Sequence, residues 1–315
     1  MKFLPFVAFS KRYQFVALVM SFLLVMSAAI YSALKFYLYP IFEEYEQALA
    51  ATDLARVEQA IEGQFDAIAF LGRDYAEWDD VYQFVESPDS MSEMLQEEFV
   101  AGYWYDYGIQ LLLIINHQGE LVWGKISEPE GEAIGLDNVV LPLISGNPLL
   151  TSPASVHSHT RGFIDTPMGL MMIASSPVLH SDGSGPVAGS FIVGRVFDDQ
   201  RIREVAESSA AEMTLFSLSD PELSGRVRDV PIELEAMGKR FLARNAETDL
   251  LLLSQLRDLY GDPVAVIQTA SERRISVVGT ETINEIIQLL MLLMGVLALI
   301  ACVVIVVSVP GRRRE

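Results

Sequence analysis

The pattern of apolar and polar positions divides the chain into three parts. An uncharged apolar run of 21 residues extends from Gln14 to Leu34, and another of 24 residues extends from Ile286 to Val309. As a helix rising about 1.5 Å per residue, each run is long enough to cross a hydrocarbon core about 30 Å thick. The pattern therefore predicts two transmembrane helices, assigned to residues 14–37 and 284–309, with a large segment between them.

The segment after the first span has a helical period. Apolar residues recur at steps of three and four, which places them on one face of a helix; they are Leu54, Val57, Ile61, Phe65, Ile68, Leu71, Tyr75, Trp78 and Tyr82. Pro40 allows a start near residue 41, and SPDS at 87–90 provides a stop. The pattern predicts one continuous stalk helix, and its near-heptad spacing favours a homodimer.

Two β-rich stretches follow the predicted stalk. The pairs 109–116 with 120–126, and 169–180 with 186–197, flank the turn sequences HQG and SDGSG, which is typical of hairpins. After a short helix at about 198–209, the second stretch runs from 212–218 through KRFLARN and DLLLLSQL to 262–270. We expect an α+β fold with a long N-terminal helix and two antiparallel sheet units, bounded at 38–210 and 211–283.

Basic residues near the two ends indicate the orientation in the membrane. Lys2, Lys11 and Arg12 precede the first span, and Arg312, Arg313 and Arg314 follow the second. Because Lys and Arg are retained on the cytoplasmic side, residues 1–13 and the tail 310–315 are expected in the cytoplasm, and residues from about 38 to 284 outside it. A cleaved signal peptide is the alternative for the first span, but its apolar run exceeds the usual ~7–15 residues.

The charge balance excludes one class of ligand. Asp and Glu outnumber Lys and Arg by 42 to 22, and the net charge is −20. Nucleic-acid binding needs a basic surface that neutralises phosphates, so such a ligand is not expected. The single cysteine, Cys302, lies in the second span, so the outer segment has no disulfide and must depend on its own hydrophobic cores.

Three segments resemble a known family. The stretch RDYAEWDDVYQFV at 73–85 resembles the signature of the fourth type of CHASE sensor domain, which lies outside bacterial and archaeal membranes on cyclases and histidine kinases. The segment 175–195 is similar to the family's sheet hairpin, and 256–279 resembles the strand that leads to its exit helix. The likeness covers about residues 40–280.

The resemblance implies a tandem PAS-like, double Cache-type outer module that relays a signal through the second span to a cytoplasmic output domain. The chain ends six residues after Val309, so we expect the cyclase or kinase output to belong to a longer protein or to a partner. The resemblance also implies structural roles for signature and turn residues, namely Arg73, Asp74, Asp80, Gly183, Gly185, Gly261 and Pro263.

Aromatic residues in the signature are the first candidates for a ligand site. On the predicted helix, Tyr75, Trp78 and Tyr82 share a face that Asp79 flanks. Aromatic walls with a carboxylate would accept an amine or another cation, at about 0.5–2 kcal/mol per ring, and a second aromatic group that includes Trp104 and Tyr107 could complete the pocket. The alternative is ordinary packing under the sheet, with each polar tip bonded.

Arg195 is the remaining candidate for ligand binding. At the end of its predicted strand, it could bind a carboxylate through two parallel hydrogen bonds. Alternatively it pairs with an acid, either Asp198 or an aspartate of the signature. Arg73 is expected to reach Glu77 at i+4 on the helix.

Enzymatic motifs are missing from the sequence. The HSH sequence at 157–159 supplies fewer than the three or four converging ligands that a metal needs, and no nucleotide-binding or hydrolase motif is found. We therefore expect no catalysis, cofactor or metal in this chain. Two functions remain open: a receptor for a small solute that has a cytoplasmic signalling partner, and a scaffold that binds another envelope or membrane protein without a ligand.

Overall fold

The computed structural model describes residues 11–100, 104, 107–127, 135–145, 147–246 and 248–307. It divides into two compact units. One unit runs from Ala50 to Ser271, and the other is formed by the described residues before and after it. Lys2 and residues 312–314, on which the predicted orientation depends, lie outside the described residues.

The helices alternate with two groups of strands along the chain. The helices are α1 (Lys11–Ala33), α2 (Tyr39–Ala76), α3 (Asp79–Glu86), α4 (Glu93–Val100), α5 (Leu136–Ile144), α6 (Pro148–Thr151), α7 (Asp199–Ser209), α8 (Gly225–Arg228), α9 (Val230–Met237) and α10 (Arg274–Val307). The strands are β1 (Leu111–Asn116), β2 (Leu121–Ile126), β3 (Thr160–Thr166), β4 (Gly169–Val178), β5 (Gly189–Val196), β6 (Glu212–Ser217), β7 (Phe241–Asn245), β8 (Asp249–Arg257) and β9 (Pro263–Glu272).

The helix after the first span does not begin near residue 41, as the sequence pattern predicted. A π-helical segment at Leu34–Leu38 joins α1 to α2 without a break. In a regular α-helix Pro40 would lose one hydrogen bond and clash with the carbonyl group four residues earlier. The wider π turn, in which the Tyr39 N–H donates to the Leu34 carbonyl oxygen, lies directly before this proline, so the helix continues through it.

The same helix also ends earlier than predicted. It stops at Ala76, and Trp78 has an extended backbone (φ −96°, ψ 131°) before α3 begins. The backbone N–H of Leu179 donates to the Ala76 carbonyl oxygen at 3.0 Å, and the Asp79 N–H donates to the Ser181 hydroxyl at 3.0 Å. Both groups would otherwise bond within the helix, so a tertiary contact overrides the local helical pattern here.

The first sheet has five strands in the order β2-β1-β5-β4-β3, and every neighbouring pair is antiparallel. Both predicted hairpins are present. Side chains of β1 alternate between its two faces: Leu112 and Ile114 pack in the core that includes the buried face of α2, whereas Leu111 and Leu113 pack against α5. Burial of each such side chain contributes roughly 1.5–3 kcal/mol.

The second sheet has four strands in the order β6-β9-β8-β7, with β6–β9 and β7–β8 antiparallel. One face packs against α9, where Val230 and Leu234 meet Leu253. The two sheets touch where the Leu259 N–H donates to the Phe163 carbonyl oxygen at 3.1 Å. A long helix followed by two antiparallel sheets confirms the predicted α+β class.

Two helical stretches among the described residues are long and apolar enough to cross a membrane, Ala17–Ala76 and Arg274–Ile300. Almost none of the most apolar part of either stretch is buried. A core helix of a soluble protein would be mostly buried, which these two stretches are not. Both candidate spans agree with the sequence pattern.

Candidate functional site

The signature segment holds the junction between α2 and α3. Asp79 begins α3, and its carboxylate accepts hydrogen bonds from His180 Nδ1 at 2.9 Å and from the Ser181 N–H at 3.3 Å. The bond from His180, followed by the bonds from Ser181, lowers the pKa of the Asp79 carboxyl. Asp79 therefore attaches the β4–β5 turn to the helix junction, whereas the exposed Asp74 and the half-buried Asp80 do not.

The aromatic candidates separate into two groups. The Tyr75 ring lies 4.5 Å from the Trp78 ring and 4.6 Å from the Trp104 ring, centroid to centroid. The Tyr75 hydroxyl donates to Glu98 Oε2 at 3.0 Å, and Trp104 Nε1 donates to the Glu98 carbonyl oxygen at 2.9 Å. Burial, with Glu98 as the next cause, raises the pKa of Tyr75 to about 12. All three rings pack in or against the main core, and the polar tips of Tyr75 and Trp104 are bonded.

Tyr82 does not share a face with the other two signature aromatics, as a continuous helix would require. Because the helix breaks at Trp78, the Tyr82 ring instead stacks on His180, with centroids 3.9 Å apart. Tyr107 is 60% exposed, and its backbone carbonyl oxygen, not its ring, accepts a hydrogen bond from the Arg195 guanidinium. The structure thus brings Tyr75, Trp78 and Trp104 together and leaves Tyr82 and Tyr107 apart from them.

The turn residues occupy backbone positions that favour glycine. Gly183 and Gly261 have φ of +74° and +93°, which is the left-handed region. The Gly183 turn is closed by its own N–H bond to the His180 carbonyl oxygen, while Gly185 precedes a cis proline. Pro263 opens β9, and residues 180–185 form the turn that contacts Asp79.

Arg195 is buried, with 7% of its surface exposed. Its guanidinium donates to Gln64 Oε1 at 3.1 Å and to the Tyr107 carbonyl oxygen at 2.8 Å. The expected alternative, an ion pair with Asp198 or with an aspartate of the signature, is wrong, because Arg195 forms no ion pair within the described residues and donates to these two neutral groups instead. The Asp198 carboxylate accepts the Arg201 N–H at the start of α7. Burial lowers the pKa of Arg195, and within the described residues its Nε has no hydrogen-bond partner.

A cleft of 760 Å³ lies between α2, β3 and the β7–β8 pair, and Gln255 Oε1 lies against it without a hydrogen-bond partner in the described chain. Its arginines are already engaged. Arg240 forms an ion pair with Glu58, Arg161 forms one with Glu62 at 3.0 Å, and the Arg257 guanidinium donates to a backbone carbonyl group. This cleft therefore offers an incoming ligand no uncommitted cation among the residues that line it.

A second cleft, of 440 Å³, lies between α2 and the β3–β4 hairpin. We call it the signature cleft because it contains Arg73 of the signature segment; its lining is Asp66, Ala69, Phe70, Arg73, His159, Thr160, Arg161, Ser175 and Ser176. The helical residues recur at steps of three and four, so they form one stripe of α2. The volume lies within the range of about 300–1,000 Å³ that small-molecule sites occupy.

The signature cleft contains a cation without a partner. Arg161 is neutralised, because it forms ion pairs with both Asp66 and Glu62. In the described part of the chain, the Arg73 guanidinium makes no hydrogen bond or ion pair; the expected pairing with Glu77 is wrong. Burial, followed by the charge of Arg73, lowers the pKa of His159, whose Nδ1 lies 3.3 Å from Ser176 Oγ.

Sequence reasoning missed part of this cleft. His159 and Arg161 belong to a segment that gave no signal of its own except the HSH sequence, whose two imidazoles suggested only a metal. The register of β3 against β4 pairs Thr160 with Ser175 and Arg161 with Ala174. This edge strand packs beside α2, which is a tertiary relationship that the local pattern does not contain.

Comparison with known proteins identifies the family. Residues 60–216 match the CHASE4 domain. The chain carries a CHASE4 domain. The matched region contains the signature segment, the whole five-stranded sheet and all residues that line the signature cleft. The predicted resemblance is therefore confirmed.

A curated relative contains a similar region. Over 249 residues, the chain is 23% identical to the methanogenesis regulatory histidine kinase FilI of Methanothrix harundinacea strain 6Ac. The match covers 75% of this chain but only 26% of that relative, so the chain spans about a quarter of the relative's length.

Solved structures of sensor domains are similar at low identity. The periplasmic domain of Vibrio cholerae LuxQ matches with 13% identity and a TM-score of 0.42, covering 72% of this chain and 99% of that one. The ligand-binding domain of the Pseudomonas aeruginosa PAO1 amino acid chemoreceptor PctB, in complex with L-Gln, matches with 11% identity and a TM-score of 0.37, covering 74% and 92%.

Proposed function

We propose that this chain is the membrane-anchored sensor part of a signal-transduction protein, and that its CHASE4 domain binds a small solute in the signature cleft. The observation that carries the proposal is Arg73. It belongs to the segment that typifies the family, it lines a cleft of ligand size, and its charge is uncommitted among the described residues. In contrast, the aromatic candidates Tyr75 and Trp104 have bonded polar tips and packed rings.

The proposed topology places both termini in the cytoplasm and the acidic middle segment outside the membrane. The solute signal passes along the chain into α10, which contains the second candidate span. Only Arg273 separates the end of β9 from the start of α10, so the link along the chain is short. The output, of the kinase or cyclase class, lies in a longer protein or a partner, and the sensor works as a homodimer.

A solute shifts a two-state equilibrium only by its difference in affinity for the two states. A 100-fold preference supplies about 2.7 kcal/mol, and the same free energy is added to folding stability when a ligand is present at 100 times its Kd. For a domain of this size class, that corresponds to an increase in Tm of about 5–10 °C. Such a shift is measurable on the full chain in detergent micelles.

The test is a thermal-shift screen of the full chain against carboxylates, phosphates, amines, amino acids and sugars. Ala69→Phe fills the signature cleft, and Ala67→Phe adds the same ring to an exposed position of α2 outside it. We expect at least one solute to raise the Tm of the parent and of Ala67→Phe but not of Ala69→Phe. Equal responses in both variants would overturn the site. If no solute acts while a co-purifying envelope protein stabilises the chain, the scaffold function is correct instead.

A further inference from the structure

We infer that the signature cleft selects a small carboxylate, which the Arg73 guanidinium binds; this inference rests on the proposed function above. A guanidinium presents parallel N–H donors that match the two oxygens of a carboxylate. The Ser176 hydroxyl faces α2 from β4, with His159 Nδ1 3.3 Å from its Oγ. A carboxylate in the cleft would therefore meet the Arg73 cation and a neutral hydroxyl donor.

The charges around the cleft disfavour a cationic solute. An amine would enter beside two guanidinium groups, Arg73 and Arg161. The acidic group that lines the cleft, Asp66, is already paired with Arg161. A cation would have to break that ion pair to gain a carboxylate partner, whereas an anion gains Arg73 without breaking any contact within the described residues.

The charge of the whole chain makes the local arrangement decisive. With a net charge of −20, the surface repels anions at long range, and nonspecific anion binding is disfavoured. At physiological ionic strength this repulsion is screened beyond about 8 Å, whereas contact with Arg73 acts at hydrogen-bond distance. Selectivity for an anion must therefore come from the cleft itself.

Arg161 limits the bound anion to a single carboxylate group. It holds β3 to α2 through Glu62 and Asp66, which lie one turn apart on the helix. A second carboxylate group on the ligand would reach Arg161 only by displacing Asp66, which would weaken the attachment of the hairpin. The cleft therefore fits a monocarboxylate whose remaining part is small and apolar enough to lie against Ala69 and Phe70.

Three isosteric probes test this inference on the full chain in detergent micelles: propionate, propionamide and propylamine, compared by ligand-detected NMR at matched ionic strength. We expect propionate to bind and the neutral and cationic probes not to bind. Arg73→Gln should weaken propionate binding at least ~10-fold, which is about 1.4 kcal/mol. Arg73→Lys keeps the charge without the paired donors and should lose less. Arg203→Gln makes the same charge change on the exposed face of α7 and should have no effect.

The outcomes separate this inference from the proposed function. If propylamine or propionamide binds as tightly as propionate, and Ala69→Phe abolishes that binding, the cleft is a solute site but its selectivity for carboxylates is disproved. If propionate binds equally to the parent, Arg73→Gln and Ala69→Phe, both the inference and the site are wrong. Because Arg73 is exposed and unpaired among the described residues, its replacement should leave the Tm of the unliganded chain unchanged, which checks that the variant folds.

Discussion

Asp79 and Ser181 are joined by two hydrogen bonds that run in opposite directions. The Asp79 N–H donates to Ser181 Oγ at 3.0 Å, and the Ser181 N–H donates to Asp79 Oδ1 at 3.3 Å. The first bond satisfies an N–H at the start of α3 that no helical carbonyl group can reach. The pair therefore ends α2, begins α3 and fixes the β4–β5 turn with the same few atoms.

Replacement of Asp79 by Ala should release this turn. We expect faster hydrogen exchange at residues 179–184 than in the parent. The two hydrogen bonds that the Asp79 carboxylate accepts are lost, and the one that the Asp79 N–H donates to Ser181 is weakened. The carboxyl pKa is lowered by His180 and Ser181, so its contribution to stability is present above about pH 4 and is lost as the pH falls through the folded-state pKa. Asp74→Ala, an exposed signature aspartate, is the control and should exchange as the parent does.

Tyr75→Phe should separate the polar contact of Tyr75 from its packing. The ring contacts remain, but the bond to Glu98 is lost, so we expect a loss of about 1 kcal/mol in the free energy of unfolding. Because burial raises the pKa of Tyr75 to about 12, its stabilising contribution is complete below about pH 10 and is lost as the pH rises towards 12. Urea unfolding at pH 8 and pH 11 measures both effects, with Tyr45→Phe, an exposed tyrosine, as the control.

The fold could be predicted from sequence where local periodicity and tertiary packing agree. Both hairpins, the helix at 199–209 and the stop at Pro88 follow from alternation, turn residues and a breaker. The break at Trp78 could not be predicted, because the groups that replace its helical hydrogen bonds, Leu179 and Ser181, come from a turn about one hundred residues away. At Pro40 the prediction failed in the opposite sense: the sequence predicted a helix boundary there, but a π turn before the proline lets the helix continue.

The candidate site was harder to predict than the fold. Tyr75, Trp78 and Trp104 drew attention because aromatic rings near an aspartate have two meanings, core and binding site, and sequence spacing does not distinguish them. Arg73 was assigned to a local partner at i+4. Its place in a cleft depends on the edge strand β3, whose side chains reach α2 only after the five-stranded sheet has formed.

Gly189 and Gly63 should respond to alanine with opposite signs. A Cβ at Gly189 would lie 1.9 Å from the Ile115 carbonyl oxygen, which is backbone and cannot rotate away, so we expect a loss of about 3 kcal/mol or more. Gly63 lies in the interior of α2 with nothing within 4 Å of the added methyl group, so alanine should stabilise the chain by about 0.5–1 kcal/mol. Chemical unfolding of the two variants checks both signs, and a stabilised Gly189→Ala would contradict the sheet register.

Glu46 holds the start of α10 in the unit formed by the terminal helices. Its carboxylate is 5% exposed and accepts the Ser276 N–H at 2.7 Å and the Ser276 hydroxyl, with Arg273 Nε 3.6 Å away. Loss of such a cap typically costs about 0.5–2 kcal/mol, so Glu46→Ala should let the first turn of α10 open. We expect faster trypsin cleavage after Arg273 and Arg274, and no change in Glu44→Ala, an exposed neighbour.

His159 should make the stability of the CHASE4 domain depend on pH in a direction that the structure fixes. Burial and the charge of Arg73 lower its pKa, while Glu77 acts in the opposite sense and His157 adds to the lowering. A lowered histidine pKa means that the unfolded chain binds more protons than the folded one just below pH 6.5, so stability is complete above that pH and decreases as the pH falls towards the folded-state pKa.

The measurement is the free energy of unfolding between pH 7.5 and pH 5 for the parent, His159→Gln and His117→Gln, which removes an imidazole from the β1–β2 turn. His159→Gln should flatten the profile in this range, whereas His117→Gln should not. The other charged groups that line the cleft, Arg161 and Asp66, are paired with each other.

A bound carboxylate would raise the pKa of His159 by its negative charge, so binding should take up protons and the affinity for propionate should increase as the pH falls from 7.5. An affinity that is constant with pH in the parent would show that the anion does not approach His159.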